Sequence, residues 1–218
     1  EPDIPPLTFT DADITALERS LPELPQAKEK RFMEEYGLHA GNAAVVTADL
    51  AMAHFFEHVA SELGDKKASG EMRADVVKAT TLAANYIVSE LQKFLVKEGH
   101  TIADITISPE NFAELIALVA DGAINSSAAQ TVLHEMYYGD EDDPSRIIAE
   151  KNLAQVSDAD ALTAQVDAVM DAHPQSVADY MAGKENAIKY LMGQVMKASG
   201  GKANPQMVMT ILTEKLKK

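Results

Sequence analysis

GKENAIKYLMGQVMKASGGKANP, residues 183–205, is a basic segment near the end of an acidic chain. Lys184, Lys189, Lys197 and Lys202 fall within it, against the single acid Glu185. Ile188, Leu191, Met192 and Val195 follow the i, i+3, i+4, i+7 rule and predict one apolar helical stripe. At about 100° per residue, Lys189, Gly193 and Lys197 share the opposite side. A glycine there costs roughly 1 kcal/mol relative to alanine. Either close helix packing or the approach of an outside group to the backbone would give it a use. Gly200-Gly201 offers a left-handed stop. Asn204 followed by Pro205 offers an N-cap and N1 for the last helix. Lys202 therefore belongs to a tight loop beside a helix N-terminus, where a phosphate could be held. The plainer alternative is a solvated lysine face.

The charge balance favours an anionic partner for this end alone. The 218 residues carry 19 basic and 34 acidic side chains, a net of −15. From Lys184 to Lys218 there are 7 basic and 2 acidic side chains, a net of +5. The remainder repels nucleic acid and anionic membranes. The chain has no cysteine, so disulfides and thiolate metal sites are excluded. That fits a cytoplasmic protein. No apolar run approaches the roughly 20 residues of a membrane span. The acidic, proline-rich opening does not suit a signal peptide. Because the first residue is not methionine, the chain is expected to be a piece of something longer.

Working outward, the apolar periodicity predicts an all-α chain in two packed bodies. The first is a helical domain, residues 1–151, and the second a tail domain of three or four helices, residues 152–218. Residues 1–10 read as a proline-rich entry. Helices are expected from Thr10 or Asp11 with Ile14, Leu17 and Leu21, up to Tyr36 before Gly37, from Thr47 to Leu63 before Gly64, and over Glu71–Glu98. Residues 102–107 suggest an extended connector. Ser108-Pro109-Glu110 opens the next helix, Ser126 or Ser127 the one after, and a short helix spans Ser145–Lys151. The hinge is expected between Gly139 and Ser157. In the tail, Ser157 and Asp160 have cap spacing. His173-Pro174 ends the first tail helix, and Gln175–Met181 forms a short one.

One motif carries enzymatic chemistry. His54-Phe55-Phe56-Glu57-His58 matches H-x-x-E-H, in which two histidines four apart bind zinc and the glutamate acts as base. A third ligand has no evident source, and Phe55 and Val59 suit a core. Asp140–Asp143 lacks the spacing of a calcium loop. Gly201-Lys202 lacks the first glycine and the Ser/Thr of a phosphate loop. On its own chemistry the chain reads as non-catalytic and metal-free.

Several stretches together resemble one family. They are Glu1–Leu7, Ser20–Leu38 (SLPELPQAKEKRFMEEYGL), Phe56-Glu57, Ser108-Pro109-Glu110, Asp121–Ile124, Gly183-Lys184, Gly193–Lys197 and Gly201–Pro205. On these residues the chain resembles the GatB/YqeY domain family. In that family the segment is the C-terminal portion of the B subunit of bacterial glutamyl/aspartyl-tRNA amidotransferases. The resemblance implies a helical domain and a mobile tail lying against the outer corner of tRNA(Gln) or tRNA(Asn). It implies a parent ligase with A and C subunits as partners. There ATP and magnesium serve an upstream domain, which phosphorylates the carboxyl of mischarged Glu or Asp before ammonia displaces the phosphate. This chain would then hold no cofactor and no catalytic residue. Its tRNA contacts would fall on Lys184, Lys189, Gly193, Lys197, Lys202 and Asn204. Tyr190-Leu191-Met192 departs from the common Gly-Phe-Leu-Val, and Asn85-Tyr86 from Asn-Trp. The alternatives are a small zinc hydrolase on His54, Glu57 and His58, and a protein-interaction scaffold.

Overall fold

The computed structural model describes residues 9–21, 23–155 and 159–216. The fold is all-α, with no β-strand among the described residues. The expected Ser157 cap lies outside the described residues, as does most of the proline-rich entry.

Helix α1 (Asp11–Ser20) starts with a reciprocal cap. The Thr10 hydroxyl accepts from the Asp13 N–H at 3.2 Å, and the Asp13 carboxylate accepts from the Thr10 N–H at 2.9 Å. Its apolar side chains Ile14 and Leu17 remain exposed, as do Phe9, Leu21 and Leu24 around it. Helix α2 (Pro25–Tyr36) has proline at its first turn and ends at Gly37, φ 68°. Glycine is required there twice over. The left-handed backbone disfavours a side chain, and a Cβ would meet Val77 at 2.8 Å.

Three expected boundaries are corrected. The helix expected over Thr47–Leu63 is preceded by another, α3 (Ala40–Thr47), and itself becomes α4 (Leu50–Ser69). Asp49 separates them by accepting from Ala51 and Met52 N–H groups, at 2.6 and 3.2 Å. Gly64 does not stop α4; Gly70 does. A mid-helix glycine costs only about 1 kcal/mol, which the burial of Phe55, Phe56, Val59 and Leu63 outweighs. The expected Glu71–Glu98 helix begins instead at α5 (Val76–Tyr86), capped by Asp75. The loop before it is fastened by Asp121, whose carboxylate accepts from the Arg73 and Ala74 N–H groups at 3.0 and 2.7 Å. One π turn, Ile87–Leu91, follows, and then α6 (Gln92–Glu98). Ile87 and Leu91, at the two ends of that turn, are both fully buried. The expected extended connector contains a 3₁₀ turn, Ile102–Asp104, closed by a Thr101–Asp104 capping box.

Helices α7 (Pro109–Ala120), α8 (Ser126–Tyr138) and α9 (Pro144–Glu150) complete the first core. Ser108 caps α7 as expected, whereas Asn125, not a serine, caps α8, and Asp143 caps α9. Phe56, Leu63, Phe112, Ile116, Leu133 and Met136 are fully buried there. The Phe32, Tyr36 and Phe56 rings meet with centroids 5.2 Å apart.

A second core lies within α10 (Ala159–Ala172), α11 (Pro174–Met181), α12 (Asn186–Ala198) and α13 (Pro205–Leu216). Leu162, Val166, Leu191, Val195, Val208 and Leu212 fill it. The two cores share no residue, and the principal helix pairings stay within one group or the other. The groups meet through amides. The Asn125 side-chain N–H₂ donates to the Gly201 carbonyl. The Gln155 backbone N–H donates to Ala123 at 2.8 Å. Turned to satisfy both neighbours, the Gln155 side chain donates to Gly122 at 2.6 Å and accepts from Asn204 N–H at 3.3 Å.

Candidate nucleic-acid interface

Helix α12 is amphipathic by its sequence, and the structure orients it accordingly. Ile188, Leu191 and Val195 face the second core. Lys189, Gly193 and Lys197 occupy the solvent side. A Cβ at Gly193 would meet nothing within 4 Å, so helix packing does not account for this glycine. Lys189 and Lys197 stand about 12 Å apart along the axis, and neither has an acidic partner within 4 Å among the described residues. The helix ends at Gly200 and Gly201, with φ of 62° and 78°. The Gly201 N–H returns to the Met196 carbonyl at 2.8 Å.

The other expected contact residues lie elsewhere. Lys184 precedes α12 and pairs with Asp179 at 3.0 Å. That ammonium holds the Asp179 carboxyl below its ordinary range. Lys202 is half-buried and lines the cleft between the two helix groups, together with Lys151 and Asn125. Asn204 caps α13 by accepting from the Gln206 and Met207 N–H groups, at 2.9 and 3.2 Å. Those amides are thus already engaged. An adjoining cleft of about 550 Å³ is lined by Ile124, Asn125, Gln155, Met196 and Asn204. The structure therefore brings Lys189, Gly193 and Lys197 together and sets Lys184, Lys202 and Asn204 apart from them.

The H-x-x-E-H stretch is divided between the surface, the core and an ion-pair network. His54 and His58 are exposed, while Phe55, Phe56 and Val59 enter the core. Glu57 is held by two cations from α2. Lys28 Nζ lies 3.1 Å from one of its carboxylate oxygens, and the Arg31 guanidinium bonds the other. Burial pushes the Glu57 carboxyl up, but the Arg31 and Lys28 hydrogen bonds outweigh it and hold it below its ordinary value. A general base poised near neutrality needs the opposite shift. Among the described residues no group of three His, Asp or Glu side chains could share a metal ion.

Sequence reasoning did not anticipate this network. Glu23 joins it, accepting from Arg31 at 2.7 Å and lying 3.3 Å from Lys28. The Arg31 hydrogen bonds lower the Glu23 carboxyl to about 2. The signal was present in SLPELPQAKEKRF, where Glu23 precedes α2 and Lys28, Glu29, Lys30 and Arg31 crowd its first turns. The network fastens the segment before α2 to α4.

The comparison with known families decides the affiliation. The model described as the GatB domain matches residues 71–216, which include α5 through α13. The chain belongs to the GatB domain family. Curated relatives extend the likeness over the whole sequence. The B subunit of the aspartyl/glutamyl-tRNA(Asn/Gln) amidotransferase of Halorhodospira halophila is 43% identical over 216 residues, 99% of this chain and 42% of that protein. The B subunits of the same name from Carboxydothermus hydrogenoformans and Geobacillus thermodenitrificans are 37% and 39% identical, over all of this chain and 42% and 43% of theirs. The chain thus spans about two fifths of the length of the curated relatives it matches. The GatB domain match includes the whole second core and both lysines of the outward α12 face.

Proposed function

We propose that this chain is the tRNA-contacting part of an amidotransferase B subunit, with the outward face of α12 as its RNA surface. In this reading it makes no covalent chemistry itself. It holds tRNA(Gln) or tRNA(Asn) so that a catalytic domain, with ATP and magnesium, can amidate the mischarged residue. The A and C subunits are its partners, and the complex works in the cytoplasm. Residues 1–151 and 152–218 form separate units, a helical domain and a tail. The pair of unshared cores supports that division.

The observation that carries the RNA reading is the position of Lys189 and Lys197. Among the described residues they stand without acidic partners on one exposed face, beside an open glycine, on a chain that is otherwise strongly acidic. Phosphates attract such a face, and folded tRNA presents them by shape on its outside. Lys184 and Lys202 extend the surface at either end of α12, Lys202 and the Asn204-capped helix start toward the cleft. No helix among the described residues is long and apolar enough to cross a membrane.

Reversing both lysines, Lys189→Glu with Lys197→Glu, is expected to weaken binding of a tRNA(Gln) transcript while helicity stays unchanged. For about three neutralised phosphates, log K should fall with log salt at a slope of roughly −2 to −3, and the reversal should flatten it. Fluorescence anisotropy at several salt concentrations is the check. An unchanged affinity and slope would leave these lysines an ordinary solvated face and favour the scaffold reading.

A further inference from the structure

Tyr190 is the large side chain that α12 does not bury. It is 49% exposed, on a helix whose other large apolar residues turn inward. At 100° per residue it falls within about 20° of Lys197, and it directly follows Lys189. It thus lies at the edge of the arc that holds Lys189, Gly193 and Lys197, all of them exposed. The His173 ring, at the end of α10, stands perpendicular to it, with centroids 5.5 Å apart at 87°. Such an edge-to-face pair restrains a ring without burying it. Leaving half of a tyrosine in water beside two exposed lysines gives up hydrophobic stabilisation that the core of α12 gains elsewhere.

We infer that Tyr190, braced by His173, is a stacking platform for one unpaired base of the bound RNA, with Lys189 and Lys197 on the flanking phosphates. This rests on the RNA reading above and adds a chemical preference to it. Phosphate contacts alone follow any duplex, whereas an exposed ring accepts a base only where the strand is unstacked. The surface then selects a looped region of the tRNA over a continuous helix. The lysines supply the salt-dependent part of the affinity and the ring a part that salt does not screen.

The test compares two probes on the full chain: a tRNA(Gln) transcript, and a blunt, fully paired RNA duplex with the same number of phosphates. Tyr190→Ala is expected to weaken transcript binding roughly five- to one-hundredfold, leaving the salt slope and the duplex affinity unchanged. Tyr190→Phe should retain transcript binding, and Tyr190→Leu, apolar but not flat, should not. Circular dichroism confirms that each variant keeps its helices. If Tyr190→Ala binds the transcript as before while the lysine reversal weakens it, the RNA surface stands and the stacking role falls. Equal losses on both probes, or full transcript binding by Tyr190→Leu, also remove it. If neither the ring nor the lysines matter, the RNA reading itself fails.

Discussion

Leu191→Ala is expected to lower the melting of the tail by roughly 8–40 °C while the first core melts as before. Leu191 is fully buried in a core that holds ten buried residues among those described. A leucine-to-alanine change in such a site costs about 2–5 kcal/mol, because the lost methylenes leave a cavity that few neighbours can close. A unit of roughly 60 residues has little to spare, since stability runs at about 0.05–0.15 kcal/mol per residue. At that size each kcal/mol moves the midpoint by roughly 4–8 °C. The matching substitution in the other group is Phe56→Ala, which removes a fully buried ring between Phe32 and Tyr36 and costs about 3–5 kcal/mol. Scanning calorimetry should show two transitions, each moved by its own variant. One transition shifted by both variants would mean that the cores unfold as one, and the division near residue 151 would be withdrawn.

The second large effect concerns Glu57. Glu57→Ala should cost about 2–4 kcal/mol, although it deletes only one partly exposed carboxylate. The reason is what it leaves behind. The Lys28 side chain is 8% exposed, with Glu23 at 3.3 Å as its remaining partner. Removing one member of a buried ion pair strands a charge in a medium that solvates it poorly. The double variant Lys28→Met, Glu57→Leu should recover most of the loss, because replacing both members removes the desolvation cost as well. His54→Ala and His58→Ala, both on the exposed side, should stay within about 0.5 kcal/mol. Urea unfolding of the four variants measures this directly. A Glu57→Ala protein as stable as the parent would reduce the network to surface decoration.

The same network sets an acid limit. Glu23 and Glu57 have lowered carboxyl pKa values in the fold, Glu23 about 2, whereas unfolded glutamates titrate near about 4.3. Folded carboxylates with depressed values contribute fully above the unfolded value and lose that contribution as pH falls toward the folded one. The contribution is therefore complete above about pH 5 and fades toward about pH 2, a decline that Glu57→Ala should make shallower.

Helical class was legible in the sequence because amphipathic periodicity is local. Ile188, Leu191 and Val195 declared their burial by spacing alone, and so did the outward position of Lys189 and Lys197. Helix α3 was not legible. Its sequence, AGNAAVVT, has no polar face to contrast with an apolar one, and the Asp49 cap therefore looked like the interior of a longer helix. The π turn left no trace in the apolar spacing, because the buried Ala83, Ile87, Leu91 and Leu95 keep four-residue steps through it. Lys202 needed tertiary knowledge: its half-buried place follows from the Asn125–Gly201 hydrogen bond, across a separation no periodicity spans. Glu57 is the sharpest case. Its neighbours spelled a zinc motif, while its true partners lie 26 and 29 residues away on α2.

The empty space outside Gly193 makes that position a natural anchor for a reporter group. The chain contains no cysteine, so Gly193→Cys would introduce a single thiol, on the solvent side of α12. The substitution should not strain the fold, since a Cβ there meets nothing within 4 Å and almost any residue is a better helix former than glycine. A fluorophore attached there would sit between Lys189 and Lys197 without displacing a native contact. Its emission would register a polyanion arriving over this face.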